Sequence, residues 1–533
     1  MRRAFFFVLT LATLIFSTAF ASEVGKGKTI IYIPIDNRPM NLEQTLDVSE
    51  RLGYTILVPP EELLGTGASD DKLGKPLELW KWLNKNIRRA DAAVISTDAM
   101  IYGSLVASRK HNLSDAEILD RARNFETLHK NNPYTPIFAF GTIMRTPDYN
   151  WAGTEKDYYG QYGAKIFQYT ALVDKSETQK LSSRDKKNLA SLKAEIPENA
   201  LNDWLARRAK NFNANKYFID LVRSGALKYF ILGGDDGAMF SQTHLESRQL
   251  TNYAADLGKN HCVVTSGADE LGMLMLSRAI NEDLANFPLI SVNYNTGTGA
   301  ETFPKFSNEK ISESIDSAIY AVGGFKISKP ENADFVLAVN TNPNGKTFSA
   351  DNEKNTRRAH TGIGPFMKMV NGYVKNGYPV GVADISASNG SDNALMERLR
   401  KDNLQFKIRS YCGWNTATNS SGFVIGAGVL TNFMSDDDVL CLLLSRYLED
   451  WAYEANVRTQ INNGLIWTVE GDGNAWALGT RQPGLETLTA KMLEEFAAKN
   501  FRMPKNLALE NLRVHFPWSR TFDADIDGDL IQQ

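Results

Sequence analysis

The chain has 533 residues, of which 43% are hydrophobic and 23% are charged. This is the composition of an ordinary globular protein, long enough for more than one packed unit. With 59 basic and 62 acidic residues the formal net charge is −3, which argues against a nucleic-acid-binding protein, because such proteins usually carry a basic surplus.

Residues 1–21 have the pattern of a secretory signal peptide. An Arg-Arg pair precedes the apolar run AFFFVLTLATLIF, and AFA at 19–21 supplies the small residues of a cleavage site. We therefore expect export to the periplasm or the extracellular space, with a mature chain that begins at Ser22. The alternative is an uncleaved membrane anchor. No later stretch is long and apolar enough to span a membrane.

Strand-like apolar runs then alternate with helical patterns. Strands that alternate with helices predict a mostly parallel sheet, and continuous apolar runs fit strands that are covered on both faces. The predicted fold class is α/β, with a barrel-like or large doubly wound first domain. The runs before about residue 295 are KTIIYIPI, YTILVPP, ADAAVISTD, PIFAFGTIMR, LKYFILGGDD, HCVVTSGADE and PLISVNYN.

The rest of the chain predicts a second, smaller α/β unit and a helical region. ADFVLAVN, YPVGVADIS and LQFKIRSYCGWN are the strand-like runs of the second unit. The predicted domains are 22–305, with a charged helical insertion at 172–215, then 306–430, and a helical C-terminal region at 431–533. The tail DADIDGDL matches the start of an EF-hand loop but not its last ligand, so we expect a solvated acidic tail.

Polar side chains follow nearly every predicted strand. Because ligands bind beyond the carboxyl ends of parallel strands, we expect these side chains to share one pocket. Helix capping explains any one of these clusters, but their repetition at successive strand ends favours a pocket. The candidates are Asp36, Arg38, Asn41, Asp98, Tyr102, Arg145, Asp235, Asp236, Asp269, Glu270, Asp384, Asn389, Trp414 and Asn415.

The residue types of this pocket suit a carbohydrate. Carboxylates and amides hydrogen-bond hydroxyl groups, and an indole can stack on a sugar ring, the role expected of Trp414. Paired carboxylates also hydrolyse glycosidic bonds. We predict Asp236 and Glu270 as the catalytic pair of a glycoside hydrolase, and the other candidates as substrate-binding residues. No cofactor is expected, although such oxygen ligands also bind divalent cations.

Three other functions fit the same residues: a metal-dependent hydrolase, a non-catalytic glycan-binding protein and an envelope enzyme that acts on a different bond. The chain has no H-E-x-x-H motif, G-x-S-x-G elbow, P-loop or dinucleotide fingerprint. The expected partner is a carbohydrate or cell-envelope glycan, without nucleic acid and without stable membrane insertion; no oligomeric state is predicted. Cys441 reads as a core residue, and a Cys262–Cys412 disulfide stays an open alternative.

Several of these motifs resemble an uncharacterised bacterial family, a domain of unknown function. Its P-x-D-x-R-P-x-N pattern is matched from Pro34 to Asn41. Its D-x-x-x-Y-G-G-L-V-x-S-R stretch is matched from Asp98 to Arg109, with Ser104 in place of the second glycine. Later blocks resemble GGDD, GADE and GWNTATN. The resemblance covers nearly the whole mature chain. It implies that these loops belong to one site, and it implies no particular activity.

Overall fold

The computed structural model describes residues 24–532, so the signal peptide predicted at 1–21 lies outside the described residues. Fifteen strands are present in this part of the chain. They are β1 (Thr29–Ile33), β2 (Thr55–Leu57), β3 (Ala92–Ser96), β4 (Ile137–Ile143), β5 (Tyr229–Gly234), β6 (Cys262–Ser266), β7 (Leu289–Tyr294), β8 (Phe325–Ile327), β9 (Phe335–Asn340), β10 (Phe348–Ser349), β11 (Val380–Asp384), β12 (Ala387–Ser388), β13 (Ser410–Cys412), β14 (Leu507–His515) and β15 (Asp525–Gln532).

Helices connect most of these strands, and a π-helix, Tyr447–Val457, lies between two of the α-helices. The α-helices are α1 (Glu43–Glu50), α2 (Pro76–Asn86), α3 (Thr97–Ile101), α4 (Leu105–Lys110), α5 (Asp115–Asn131), α6 (Tyr159–Thr178), α7 (Ser183–Glu195), α8 (Glu198–Arg223), α9 (Gln242–Tyr253), α10 (Leu271–Asp283), α11 (Ile311–Ala321), α12 (Ile363–Lys375), α13 (Asn393–Lys401), α14 (Ala417–Gly428), α15 (Asp436–Arg446), α16 (Arg458–Asn462) and α17 (Gln482–Asn500).

The first sheet has six parallel strands in the order β2-β1-β3-β4-β5-β6. Its central strands are buried throughout, as their continuous apolar runs predicted. Helices α1 and α10 cover one face, and α2, α5 and α8 cover the other. The sheet is open, with β2 and β6 at its edges, so the doubly wound form describes it and the barrel does not. The prediction of an α/β fold is confirmed.

The second sheet has five parallel strands in the order β8-β7-β9-β11-β13. Strand β7 belongs to this sheet, although the predicted first domain extends to residue 305. A buried apolar run predicts a strand but not its neighbours, and the neighbours of β7 come later in the chain: Leu289 lies opposite Phe325, and Ile290 opposite Phe335.

The C-terminal region is helical as predicted, but it also contains an antiparallel hairpin of β14 and β15. The expected solvated tail is therefore a strand. Buried Ile526 and Leu530 alternate with Asp527 and Asp529, whose carboxylates pair with Arg513 on β14. Alternating acidic and apolar residues form a half-buried strand, because successive side chains point to opposite faces.

One hydrophobic core runs from the first sheet to the second. Helix α10 packs on β3 and β4 and, on its other side, against α14 of the second unit. The predicted insertion at 172–215 is helical, and no residue of α7 is buried. All three cysteines are buried and free, so Cys262 and Cys412 form no disulfide. Within residues 24–532, no helix has the length and apolar character needed to cross a bilayer.

Candidate functional site

A cavity of about 240 Å³ lies at the carboxyl ends of the strands of the first sheet. We call it the polar cavity. Loops of the second unit and of the C-terminal region form its other walls, so three parts of the chain meet there. The charged and amide residues in its wall are Arg38, Arg109, Arg145, Asp235, Asp236, Asp269, Asn389, Asn415, Asn419 and Arg520.

Arg38 lies between two carboxylates that follow different strands. Its Nε and Nη2 donate to the two oxygens of Asp36, at 3.0 Å and 2.9 Å. Its Nη1 donates to Asp269 at 3.3 Å, and Nη2 makes a second, shorter contact with the same carboxylate. Asn41 Nδ2 also donates to both acids, at 2.8 Å and 3.2 Å. Asn415 Nδ2 donates to Asp269 at 3.3 Å from the second unit, so this cluster joins the two units.

A second ionic cluster forms the neighbouring wall. Arg109 contacts Asp235 through Nη2, and Arg145 Nη1 donates to Asp236 at 2.8 Å. Glu155, which is buried behind them, accepts from Arg145 Nε at 2.7 Å. Arg109 Nε has no hydrogen-bond partner among residues 24–532. This nitrogen is a buried donor in the second ionic cluster.

Local sequence places these side chains. Ser104, the residue that departs from the family pattern, caps α4 by accepting from Ala107 N at 3.3 Å, and Arg109 then lies in the last turn of that helix. Gly267 turns the chain after β6 with φ of +105°. A Cβ atom at Gly267 would lie 1.8 Å from Glu270 Oε1, so only glycine fits there.

Burial controls the charge state of several acids at this end of the sheet. It raises the pKa of Asp235 more than Arg109 lowers it, and repulsion by Asp236 acts in the same upward direction. Burial also raises the pKa of Glu270 to about 8 and that of Asp98 to about 7. These carboxyl groups keep a proton at a pH where an exposed acid has lost it.

Backbone strain is concentrated in the same wall. Five of its non-glycine residues have positive φ, a conformation that costs free energy and persists only where the surroundings impose it. Their φ values lie between 38° and 66°. They are Asp236, Phe306, Asn389, Asn415 and Trp518.

Aromatic side chains form the side of the cavity opposite the sheet. The rings of Trp151 and Trp476 have centroids 5.5 Å apart, and Trp476 stacks on Phe522 at 6.2 Å. The Arg520 guanidinium lies 4.6 Å from the centroid of Trp518. Trp476 is 58% exposed, which leaves an indole surface available to a ligand.

Of the fourteen predicted site residues, half line the polar cavity and three more lie directly behind its wall. Asp36 and Asn41 hold Arg38 and Asp269, as described above. Glu270 does not face the cavity; its Oε2 accepts from Asn419 Nδ2, a wall residue, at 2.6 Å. The seven that line the cavity are Arg38, Arg145, Asp235, Asp236, Asp269, Asn389 and Asn415.

The other four predicted residues lie elsewhere. Asp98 is buried beneath the wall and accepts from the backbone N–H and hydroxyl of Thr142, at 2.8 Å and 3.1 Å. Tyr102 stacks on His111 in a different cavity. Trp414, 1% exposed, belongs to the hydrophobic core, so it presents no face for a sugar. A position directly after a strand does not determine the direction in which the side chain points.

Asp384, the fourth, ends β11 in the second sheet and belongs to a separate buried cluster. Its carboxylate accepts from Asn340 Nδ2 at 2.9 Å, Tyr411 OH at 2.9 Å and the backbone N–H of Asp392 at 2.7 Å. Burial, with repulsion from Asp392, raises its pKa to about 7. These bonds give it a structural role.

Several wall residues were not predicted as site residues. Arg109 lies in the D-x-x-x-Y-G-G-L-V-x-S-R stretch, and this motif could have identified it as a site residue. Trp476 and Trp518 come from the C-terminal region, where no strand-end pattern marks them. Only the folded chain brings these indoles to the first sheet.

The donor set of the cavity suits hydrogen bonding and proton transfer. Arginines already contact the three aspartates of the wall, and among the described residues no group of three His, Cys, Asp or Glu side chains is arranged to hold a metal ion. The carboxyl groups, the guanidinium donors and the exposed indole of Trp476 can bind a polyhydroxylated ligand and exchange protons with it.

The comparisons with known proteins bear on the family and not on the activity. A comparison with curated proteins gives no significant match. One family model, described as "Protein of unknown function (DUF4127)", matches residues 30–527. The matched range includes the wall residues of the polar cavity, from Arg38 to Phe522. The chain therefore belongs to this family.

Proposed function

We propose that the protein is an exported carbohydrate-active hydrolase that cleaves a glycosidic bond in the polar cavity. The observation that carries the proposal is the convergence of three aspartates and three tryptophans on one cavity. Carboxyl groups supply the acid and base of glycoside hydrolysis, and the indoles supply flat apolar surfaces for sugar rings. The proposed substrate is a glycan of the cell envelope or its surroundings.

The proposed carboxyl pair is Asp235 and Asp269. The raised pKa of Asp235 suits a general acid, which must hold a proton to give to the leaving oxygen. Asp269 is ion-paired with Arg38 and suits the base or nucleophile. Water adds across the bond: the sugar carbon gains the hydroxyl group and the leaving oxygen gains the proton. This pair replaces Asp236 and Glu270, because Glu270 lies behind the wall.

The arginines and amides would bind the substrate. Arg109 lines the cavity, and its guanidinium group can donate to a sugar hydroxyl. Asn389 and Asn415 reach the cavity from the second unit, so the ligand would contact both units. The surroundings impose positive φ values on both residues and so hold their amides in position before the substrate arrives.

A second candidate function is glycan binding without catalysis. The observation that favours it is that each aspartate of the wall contacts an arginine: Asp235 contacts Arg109, Asp236 contacts Arg145 and Asp269 contacts Arg38. Such pairs orient the carboxylates for hydrogen bonds to hydroxyl groups and restrain their movement. In that case the protein binds a sugar tightly and releases it unchanged.

The test is a screen of the purified mature protein against chromogenic glycosides and native polysaccharides, with binding measured by calorimetry. Asp235→Asn should lower kcat by about 10²–10⁴, the usual scale for general acid catalysis. The matched control is Asp384→Asn, which alters another buried acid with a raised pKa at a strand end, outside the polar cavity.

The outcomes separate the candidates. Turnover that Asp235→Asn abolishes and Asp384→Asn retains supports the hydrolase. Sugar binding without turnover supports the binding protein. Turnover that disappears with chelator, or equal activity of Asp235→Asn and the wild type, contradicts the proposed mechanism.

Export is tested separately. N-terminal sequencing of the protein recovered from the periplasm or medium should begin at Ser22, because the AFA order at 19–21 directs cleavage after Ala21. Recovery of an intact N-terminus in a membrane fraction would contradict cleavage.

A further inference from the structure

A second cavity, of about 210 Å³, adjoins the polar cavity. We call it the apolar cavity. Tyr149, Asp236 and Phe306 belong to the walls of both, so the two spaces share one boundary. A ligand that fills the polar cavity therefore has a neighbouring space into which it can extend.

The walls of the two cavities differ in chemistry. Apart from the shared residues, the wall of the polar cavity contains four arginines and three asparagines. Among the described residues, no arginine lines the apolar cavity, and Asp148 and Lys305 are its other charged residues. Its apolar wall residues are Pro147, Phe167, Ala238, Met239, Phe303 and Pro304.

Hydrogen bonds and a close glycine contact fix the boundary between the cavities. Gly237 N donates to Phe306 O at 3.0 Å, which joins the loop after β5 to the segment that precedes α11. A Cβ atom at Gly237 would lie 2.9 Å from Asn308 Cβ, so glycine permits this approach. Asp236 and Phe306 on the boundary both have positive φ, of 38° and 66°. Arg145 fixes the Asp236 carboxylate at 2.8 Å.

Such a boundary, with one polar and one apolar side, matches an amphipathic ligand. A sugar in the apolar cavity would leave hydroxyl groups facing Phe167 and Phe303 without partners, which costs free energy. An apolar group in the polar cavity would remove water from guanidinium and carboxylate groups and offer them no hydrogen bond in return, which also costs free energy. Each part of an amphipathic molecule has one space that avoids these costs.

We propose that the substrate is an amphipathic glycoside or glycoconjugate, with its sugar in the polar cavity and an alkyl, acyl or aromatic group in the apolar cavity. The inference rests on the proposed function and adds the chemical class of the substrate. The linkage between sugar and apolar group crosses the boundary at Asp236, next to Asp235. Met239, which is 53% exposed, lies at the open side of the apolar cavity.

The test compares methyl and octyl glycosides of the same sugars, with octyl glycosides kept below micelle formation and binding measured by calorimetry. The octyl compound should bind at least about tenfold more tightly, because burial of several methylene groups is favourable. The gain should disappear in Met239→Glu, while affinity for the methyl glycoside stays the same. Met239 is exposed, so this variant should fold. The matched control is Leu77→Glu, because Leu77 is also an exposed apolar residue but lies on α2, outside both cavities. This variant should keep the tighter binding of the octyl glycoside.

Different failures identify different errors. If methyl and octyl glycosides bind equally, the apolar subsite is wrong and the proposed sugar site stands. If the octyl gain survives Met239→Glu, the apolar group binds elsewhere and the inference is overturned. If neither compound binds for any sugar, the proposed function fails and the inference fails with it.

Discussion

Glu270 shows at the residue scale how burial decides the charge of a group. Its side chain is enclosed by Gly267 and by Gly422 of α14. A Cβ atom added at Gly267 would lie 1.8 Å from Glu270 Oε1, and one added at Gly422 would lie 2.5 Å from Glu270 Cγ. Burial is the largest cause of its raised pKa, about 8 against 4.5 for the free side chain, and the hydrogen bond from Asn419 lowers it only in part. At neutral pH this carboxyl group is protonated.

This shift predicts how stability depends on pH. Between pH 4.5 and about 8 the unfolded chain has lost the Glu270 proton and the native state keeps it. The unfolded state then binds fewer protons, so the free energy of unfolding falls as pH rises through this range. Glu270→Gln removes the titration, and its Tm relative to the wild type should rise from pH 5 to pH 8.

The control for this prediction is Glu495→Gln, because Glu495 is an exposed acid on α17. Its Tm difference from the wild type should be the same at both pH values. A Glu270→Gln variant whose Tm follows the wild-type pH profile in parallel would show that Glu270 does not hold its proton.

Two exposed tryptophans offer a test of the aromatic wall. Trp476 lines the polar cavity and Trp467 does not, yet they are 58% and 62% exposed and belong to the same segment. Trp476→Ala should weaken binding of a glycan found in the screen by about tenfold or more, the loss typical of a central aromatic contact. Trp467→Ala should leave the affinity unchanged. Equal effects of the two variants would contradict a role for the wall in binding.

At the element scale, the π-helix supports the loops of the second unit. Asp450 accepts from Gly413 N at 2.7 Å, just before Asn415, and the Asp450 backbone carbonyl accepts from Ser391 N at 2.9 Å. Arg458 follows the π-helix and donates to Asn389 O at 2.9 Å. The loops that carry Asn389 and Asn415 are therefore held by one helical segment. π-helical segments often occur near functional sites.

Helices α10 and α14 meet closely because α14 has glycine at the contact. Gly422→Ala should place its new methyl group 2.5 Å from Glu270 Cγ, and the resulting overpacking should lower the free energy of unfolding by about 1–3 kcal/mol. Gly372→Ala on α12 is the control: nothing lies within 4 Å of its Cβ position. That variant should stabilise the protein by about 0.5–1 kcal/mol, because alanine loses less backbone entropy in a helix. Denaturant unfolding measures both.

The two variants distinguish overpacking between α10 and α14 from the general effect of replacing glycine by alanine in a helix. If Gly422→Ala stabilised the protein as much as Gly372→Ala, the two helices would lie further apart than the structure places them. A loss of glycan binding by Gly422→Ala alone would further show that this contact maintains the polar cavity.

On the scale of the whole molecule, the two sheets share one core and one cavity. The core runs through α10 and α14, and hydrogen bonds cross between the units: Asn415 to Asp269 at 3.3 Å and Asn419 to Glu270 at 2.6 Å. The C-terminal region joins the first unit where Trp518 Nε1 donates to Asn37 at 2.7 Å. The units are therefore parts of one packed structure.

We expect a single unfolding transition for the full mature chain in scanning calorimetry. Exposing the face of α10 that contacts α14 would leave apolar surface in water on both units, so neither unit is stable when the other unfolds. Gly422→Ala should shift the whole transition to lower temperature. Two resolved transitions, or one that Gly422→Ala moves while another stays fixed, would mean that the units unfold independently.

The sequence alone determined the class of the fold and much of the first-sheet wall. Apolar runs without alternation require strands that are covered on both faces, and their regular interruption by helical patterns requires parallel order. Because parallel strands end at one edge, Arg38, Asp235 and Asp269 were predictable as neighbours although they are distant in the chain. The local chain determines these features.

The sequence did not determine which sheet β7 joins or which tryptophans reach the cavity, and both follow from tertiary packing. Strand pairing depends on the competition of all buried surfaces, and the order of elements along the chain does not resolve it. Trp414 follows a strand and is buried in the core, whereas Trp476 and Trp518 arrive from the last part of the chain. Side-chain direction and burial depend on the packing of distant elements, and so does the raised pKa of Asp235.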